Sequence, residues 1–446
     1  MRIPIRVVTT CLMGATLFPG ISAAFAQNLQ PHHRIAIRAA RLISGKGDTV
    51  LKNAVLEIEG DKIVAVGSGL AIPPNTEVID LGDETLLPGL IDAHTHLLLE
   101  MKGANLLDQD SEMLRIVATE STAERALLGA RSAREYLEAG VTTVRDLGNS
   151  GVDGDIALRD AISQGWLPGP RMVAATRALS APGGQFGVLT TEAQKLIGQE
   201  YVIVSGPESA RQAVRQALYE GANCIKVIVN GNLANVTLDE MRAIVQEAHN
   251  DGVKVAAHAI GDEPTRIAAE SGVNSIEHAY VVSDDVLKMM AQKHIFLVPT
   301  DSTLNQVEAM MFGSRQPTAE DRMRFENQIK GYLEGNRRRL QRALELGVPI
   351  ASGSDMYLSV QGKTRGQASM DVFEAYSQEG MTPIAIIHAA TSSAADLLGL
   401  QDQLGTLEPG KFADIIGVPG NPLENITVLE RATFVMKGGT VVKREK

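Results

Sequence analysis

The chain has 446 residues, 42 of them basic and 53 acidic, with 44% hydrophobic and only 4% aromatic side chains. The acidic balance, with no basic stripe to offset it, argues against a nucleic-acid partner and an anionic membrane surface. The length suffices for one large domain and a small one. Abundant Gly and Ala with few aromatics suit an α/β enzyme more than a β-sandwich protein.

The chain opens on Arg2 and Arg6, continues through an apolar stretch from about Val7 to Ile21, and reaches Ala24-Phe25-Ala26 before Gln27. This is the pattern of a secretory signal peptide. The apolar run is broken by Gly14, Pro19 and Gly20 and falls short of the roughly 20 residues of a spanning helix. The pattern predicts a soluble exported protein, periplasmic or secreted, cleaved near Ala26. Cys11 lacks a lipobox context, so no membrane anchor is expected. Without Arg2 and Arg6 there remain 40 basic against 53 acidic residues, a net charge of −13. Cys224 is then the lone cysteine and can form no intrachain disulfide.

Next comes AVLEIEGDKIVAVGSG, which alternates apolar and polar residues around Gly60-Asp61. Near the other end, ATFVMKGGTVVKRE does the same around Gly438-Gly439. Both read as β-hairpins. Between them, eight short apolar runs alternate with helical stretches: 85–93, 140–146, 171–176, 222–229, 253–259, 273–279, 295–300 and 348–355. The segment TAERALLGARSAREYLEAG has helical spacing and ends in Gly140, a suitable C-terminal cap. Thr237 starts TLDEMRAIVQEAHNDG as an N-cap, and the helix closes near Gly252. Eight strands alternating with helices predict a (β/α)8 TIM barrel. The competing arrangement is a doubly wound open sheet, but no Gly-rich dinucleotide turn follows the first strand. The two hairpin regions are expected to meet as one small composite β-sandwich. The expected boundaries are signal peptide 1–26, sandwich 27–84, barrel 85–396 and sandwich 397–446.

In such a barrel the chemistry sits at the C-terminal strand ends. His94 and His96 lie just past the first strand, and period-two geometry points both to one side. Lys226 lies in the fourth run, His258 ends the fifth, His278 the sixth and Asp355 the eighth. Imidazoles and a carboxylate are usual ligands for zinc and similar ions. An ammonium cannot ligate a cation, but burial lowers its pKa, and a neutral amine reacts with carbon dioxide to give a carbamate with two ligand oxygens. Two metals bridged in this way could clamp a hydroxide and polarise a carbonyl. Taken singly, Lys226 could instead pair with Glu277, and Asp355 could cap the following segment. His249, His294 and His388 read as structural or solvated, and His32 and His33 as part of a tail.

The set PGLIDAHTH, GVTTVRDLG, GANCIKV, VAAHAIG, SIEHA, GSD and LGTLEPGKFADIIGV resembles the metal-dependent amidohydrolase superfamily, in its imidazolonepropionase-like and prolidase-like branch. The resemblance covers nearly the whole mature chain. It implies that His94, His96 and Asp355 bind one divalent metal, zinc foremost, and that His258 and His278 bind a second. It implies that carboxylated Lys226 bridges them, and that Asp355 takes a proton from an attacking bridging hydroxide and returns it to the leaving nitrogen. The implied activity is hydrolysis of an amide next to a free carboxylate in a small molecule, such as a dipeptide, an N-acyl amino acid or an ochratoxin-like amide. The implied assembly is a homo-oligomer. Glu277 is a weaker candidate for supporting a ligand, since alternation points it away from His278.

Two departures bear on the substrate. Relatives carry Thr-Gly-Gly-His after the third strand, where SAPGGQFG places Gln185. After the eighth strand they often have His-Gly, where QGKTRGQ places Arg365-Gly366. Gln185 and Arg365 are therefore candidate substrate contacts, and Arg365 would suit a substrate carboxylate. A lactone, cyclic imide or phosphotriester remains an alternative substrate, and a non-catalytic binding protein on the same fold an alternative of another class.

Overall fold

The computed structural model describes residues 34–101, 109–312 and 317–445. The expected signal peptide 1–26, its cleavage point, and His32 and His33 lie outside the described residues. Among those described, no helix is long and apolar enough to cross a membrane.

Strands follow in chain order: β1 Arg34–Ile43, β2 Val50–Glu59, β3 Lys62–Ser68, β4 Glu77–Asp80, β5 Glu84–Pro88, β6 Leu90–Thr95, β7 Val141–Asp146, β8 Arg171–Ala174 and β9 Ala178–Ser180. There follow β10 Tyr201–Ile203, β11 Cys224–Ile228, β12 Lys254–Ala259, β13 Ser275–His278, β14 Phe296–Val298, β15 Ile415–Pro419, β16 Phe434–Lys437 and β17 Thr440–Arg444. Both expected hairpins form: β2 pairs β3 across Gly60-Asp61, and β16 pairs β17 across Gly438-Gly439. The two ends of the chain share one mixed sheet, in the order β17-β16-β15-β5-β1-β2-β3, with β4 on β1. Its core gathers Ile37, Leu56, Ile63, Leu86, Ile415 and Phe434.

The middle of the chain forms parallel sheets β6-β7-β8 and β10-β9-β11-β12-β13-β14. Their strands read as nearly continuous apolar runs because helices cover them. Backbone hydrogen bonds tie the two sheets together. At one seam Asn223 N donates to Ala174 O at 3.0 Å. At the other, residues 348–355 lie between β14 and β6: Leu297 N donates to Pro349 O, Ala351 N to Leu297 O, and Ala93 N to Ser352 O, at 2.8–3.1 Å. The arrangement is TIM-barrel-like. Thr237 begins its helix, and Gly140 and Gly252 follow helix ends with positive φ, as the sequence predicts; Ser121 begins a second helix, and both starts are capping boxes.

Three features differ from the sequence-based expectation. The run 85–93 divides at Gly89, with β5 in the mixed sheet and β6 in the parallel one. A Cβ at Gly89 would stand 2.2 Å from Thr142 Oγ1, so only glycine lets the chain cross between the sheets there. The run 348–355 makes a single bridge, Leu297 with Ile350, rather than a ladder. Pro349 has no N–H to donate, and small polar residues follow it. Finally, β9 and β10 arise from segments with no clear apolar alternation, after Thr176 turns the chain with φ +60°.

Candidate metal centre

The parallel strands and the segment 348–355 that lies between β14 and β6 deliver His94, His96, Lys226, His258, His278 and Asp355 to one cavity of about 410 Å³. Among the described residues, several that line it hold left-handed backbone: Asn149, His278, Thr300 and Asp355 have φ between +49° and +70°. Such conformations cost of order 1–3 kcal/mol each and gather at functional sites. Gly353 adds a close approach, since a Cβ there would lie 2.7 Å from His94 Cβ.

His94 and His96 do turn to the same side. Their Nε2 atoms lie 3.6 and 3.2 Å from Asp355 Oδ1. His94 Nδ1 is 2.8 Å from Glu277 Oε2, and His96 Nδ1 is 2.8 Å from the carbonyl of Gly148. With Nδ1–H donating to these acceptors, each Nε2 lone pair faces Asp355. The ring of His278 stands 4.6 Å from that of His258 and 5.1 Å from that of His94, and its Nδ1 lies 2.7 Å from Thr300 Oγ1. Lys226 Nζ is 3.5 Å from His94 Nε2.

Glu277 has a larger place than the sequence suggests. It is fully buried and accepts hydrogen bonds from Arg145 Nη2 at 2.9 Å and Ser275 Oγ at 2.5 Å. The alternation that turns it from His278 aims it at His94 on another strand. The available signal was a pair of opposite charges, Arg145 and Glu277, inside two of the predicted strands, where each needs a partner once buried. Such support for a ligand imidazole is worth 10–100-fold in metal affinity. Glu277→Gln is therefore expected to weaken metal binding by about that factor, read by titrating metal against a competing chelator. Unchanged affinity would remove Glu277 from this role.

Burial is the largest influence on every group here. It pushes His258 down to about 3 and holds His94 and His278 well below the usual imidazole range. These rings are neutral and keep a lone pair for a cation. Burial works against Asp355 ionising, but His94 and His96 outweigh it and hold the carboxyl below its ordinary value. For His96, burial is outweighed by Asp355, and its pKa is raised. Lys226 falls to about 8, mainly through burial. The donor atoms of His94, His96 and Asp355 all lie within 4.8 Å of one another. Two imidazole nitrogens, each ring oriented by a hydrogen bond at its Nδ1, and a carboxylate fit a divalent cation.

Of the two expected substrate contacts, only Gln185 lines the cavity. Its Oε1 accepts from Tyr201 OH at 3.1 Å, and its carbonyl from Asn232 Nδ2 at 2.5 Å. Arg365 is a correction. It is 3% exposed, and its Nη atoms donate to the carbonyls of His96, Leu99 and Met356 at 2.7–3.0 Å. It pins the segment carrying His96 and cannot reach a substrate carboxylate. Arg365→Ala would leave three buried carbonyls short of donors and is expected to cost about 2–4 kcal/mol of stability, measured by urea unfolding. A loss of substrate affinity without a loss of stability would contradict this placement. The remaining described histidines lie elsewhere: His249 on Asn274, His294 near Asp396 and His388 on Gly47 O.

Residues 85–442 match the sequence model of the Amidohydrolase family. The chain is 30% identical to the ochratoxinase of Aspergillus niger, covering 91% of this chain and 86% of the relative. It is 26% identical to the imidazolonepropionase of Fusobacterium nucleatum subsp. nucleatum, over 82% and 85% of the two chains. Among solved structures it is similar to an Xaa-Pro dipeptidase with bound methionine in the active site, at a TM-score of 0.76 and 30% identity, covering 92% of this chain and 100% of the other. With four-fifths of its length matched and a His-His-Asp cluster suited to a metal in its cavity, the chain belongs to the amidohydrolase family and is a hydrolase acting on C–N bonds.

Proposed function

We propose that this protein is a binuclear metal-dependent hydrolase that cleaves an amide next to a free carboxylate, in a dipeptide, an N-acyl amino acid or an ochratoxin-like amide. The observation that carries this reading is the convergence of three buried histidines, the half-buried His258, Lys226 and Asp355 on one cavity. The names of two relatives, an ochratoxinase and an Xaa-Pro dipeptidase, support the substrate class. The same reading takes the parallel sheets as one closed (β/α)8 barrel, and the mixed sheet as part of a composite β-sandwich. It also has the chain exported.

His94, His96 and Asp355 would hold one cation, and His258 and His278 a second, zinc being the first choice for this donor set. Lys226 would be shared as its carbamate. Bound there, such cations make water a stronger acid and polarise a carbonyl. The chain's own residues do the rest. With a pKa of about 8, roughly a tenth of Lys226 is neutral at pH 7, and that amine adds carbon dioxide with loss of a proton. Asp355 Oδ1 faces His94 and His96, so Oδ2 is the oxygen that accepts a proton from the attacking water. The same oxygen then returns it to the leaving nitrogen. Glu277 and Gly148 fix the imidazoles throughout.

One observation favours a second reading. Among the described residues lining the cavity, Lys226 is the only Lys or Arg, and Arg365 is engaged elsewhere. A substrate without a carboxylate, such as a lactone, cyclic imide or phosphotriester, needs no further cation. Mass spectrometry of a mixed substrate panel, with and without chelator, separates the two. Chelator-sensitive release of a free amino acid supports the amide reading. Cleavage of only the cyclic or ester compounds overturns it and keeps the metal site.

A further inference from the structure

We infer that a second wall of the cavity is a methionine-built subsite for a large apolar group attached near the reacting bond, an aryl ring or an extended hydrocarbon chain. The inference rests on the metal-hydrolase reading for which part of the cavity reacts. Three separate segments supply the wall. Met101 follows the His94–His96 segment, with its N donating to Tyr357 O at 2.9 Å. Met113 comes from the helix Gln109–Thr119, and Met310 and Met311 from the helix Leu304–Phe312. All four line the cavity that holds the candidate metal ligands. Met101 and Met113 are 6% and 7% exposed and belong, with Leu99, to one apolar cluster against which Met310 packs.

Ordinary core packing would explain any one of these residues. It does not explain four thioethers turned to the same cavity as the reacting groups. The chemistry of the wall points to its ligand. Apart from histidines, the formal charges among the described lining residues are Lys226 and Asp355, so nothing along the methionines can pair a charge. An ionised group placed there would lose its hydration without compensation. Methionine is unbranched and polarisable, and it adapts to flat rings and to chains alike. A cavity of about 410 Å³ is in the range that encloses a drug-sized ligand and far exceeds the needs of an acetyl group. The wall would therefore select by bulk and lack of charge more than by exact shape.

The test uses hydroxamates, which share one metal-binding head and differ only in the tail. Binding of acetohydroxamate, phenylacetohydroxamate and octanohydroxamate to the metal-loaded full-length protein is measured by calorimetry. The expected result is that the two large tails bind about 10- to 100-fold more tightly than the methyl, the gain from burying one such apolar group. In Met113→Ala/Met310→Ala, and separately in Met310→Gln, this ratio is expected to fall by about tenfold. Reading a ratio within one preparation cancels any loss of metal. Met310 is only half-buried, so the single variant keeps the test open should the double variant unfold. Equal affinities in the wild type, or a ratio unmoved in both variants, would overturn the subsite. A preserved ratio with no amide turnover in the substrate panel would instead sink the amide reading and leave the subsite standing.

Discussion

Asp355→Asn is expected to lower kcat by about 10²- to 10⁴-fold, the range for a positioned general acid or base. The amide keeps the size of the side chain and one acceptor oxygen, but it cannot take a proton at pH 7. Asp355 stands where two burdens meet. It is 3.2 Å from His96 Nε2 and 3.6 Å from His94 Nε2, so it is also a candidate ligand, and the variant will hold metal less tightly. The assay is therefore run at saturating metal, with bound metal measured on the same sample. A residual deficit of 10²-fold or more at full metal content assigns the proton transfer to Asp355. Full activity once the metal is restored would reduce it to a ligand alone.

Lys226→Ala should have a comparable effect by another route. The ammonium is buried to 2% exposure with Nζ 3.5 Å from His94 Nε2, and burial has already pulled its pKa to about 8. If its carbamate joins the two cations, alanine removes two ligand oxygens at once. Losing about 4 kcal/mol of transition-state stabilisation corresponds to roughly a thousandfold in rate. The variant also leaves a space the length of the lysine stem. A short carboxylic acid such as propionate can enter it and offer two oxygens, so partial rescue by added propionate is expected, rising with its concentration. The wild-type apoprotein should regain activity faster when metal is returned with bicarbonate than without and, at a fixed concentration of dissolved carbon dioxide, faster as pH rises towards 8, because only the neutral amine adds carbon dioxide. An active Lys226→Ala protein with both metals in place would exclude the carbamate.

Much of this was legible in the sequence because strand ends carry their chemistry in short, dense motifs. HTH at 94–96, Lys226 inside an apolar run, and histidines closing two further runs are each odd locally. One fold makes sense of them together. The helix cap at Thr237 and the glycine turns at both hairpins were equally plain, since they depend on neighbours within a few residues. What escaped depended on partners far along the chain. Arg365 looked like a substrate contact, because nothing nearby shows that the carbonyls of His96 and Leu99, some 270 residues earlier, would enclose it. Glu277 was judged against its neighbour His278, when its partner was His94. The methionine wall was invisible for the same reason, being drawn from residues 101, 113, 310 and 311. The division of the run 85–93 between two sheets needed knowledge that Thr142 lies against Gly89.

The most direct measurement is a metal titration of the apoprotein, following bound metal and turnover of a cleaved panel substrate together. A binuclear hydrolase requires saturation at two equivalents per chain, with turnover climbing to its maximum only as the second equivalent binds. Full turnover at one equivalent would contradict the binuclear centre, and turnover that persists in the metal-free protein would contradict the metal-dependent mechanism altogether.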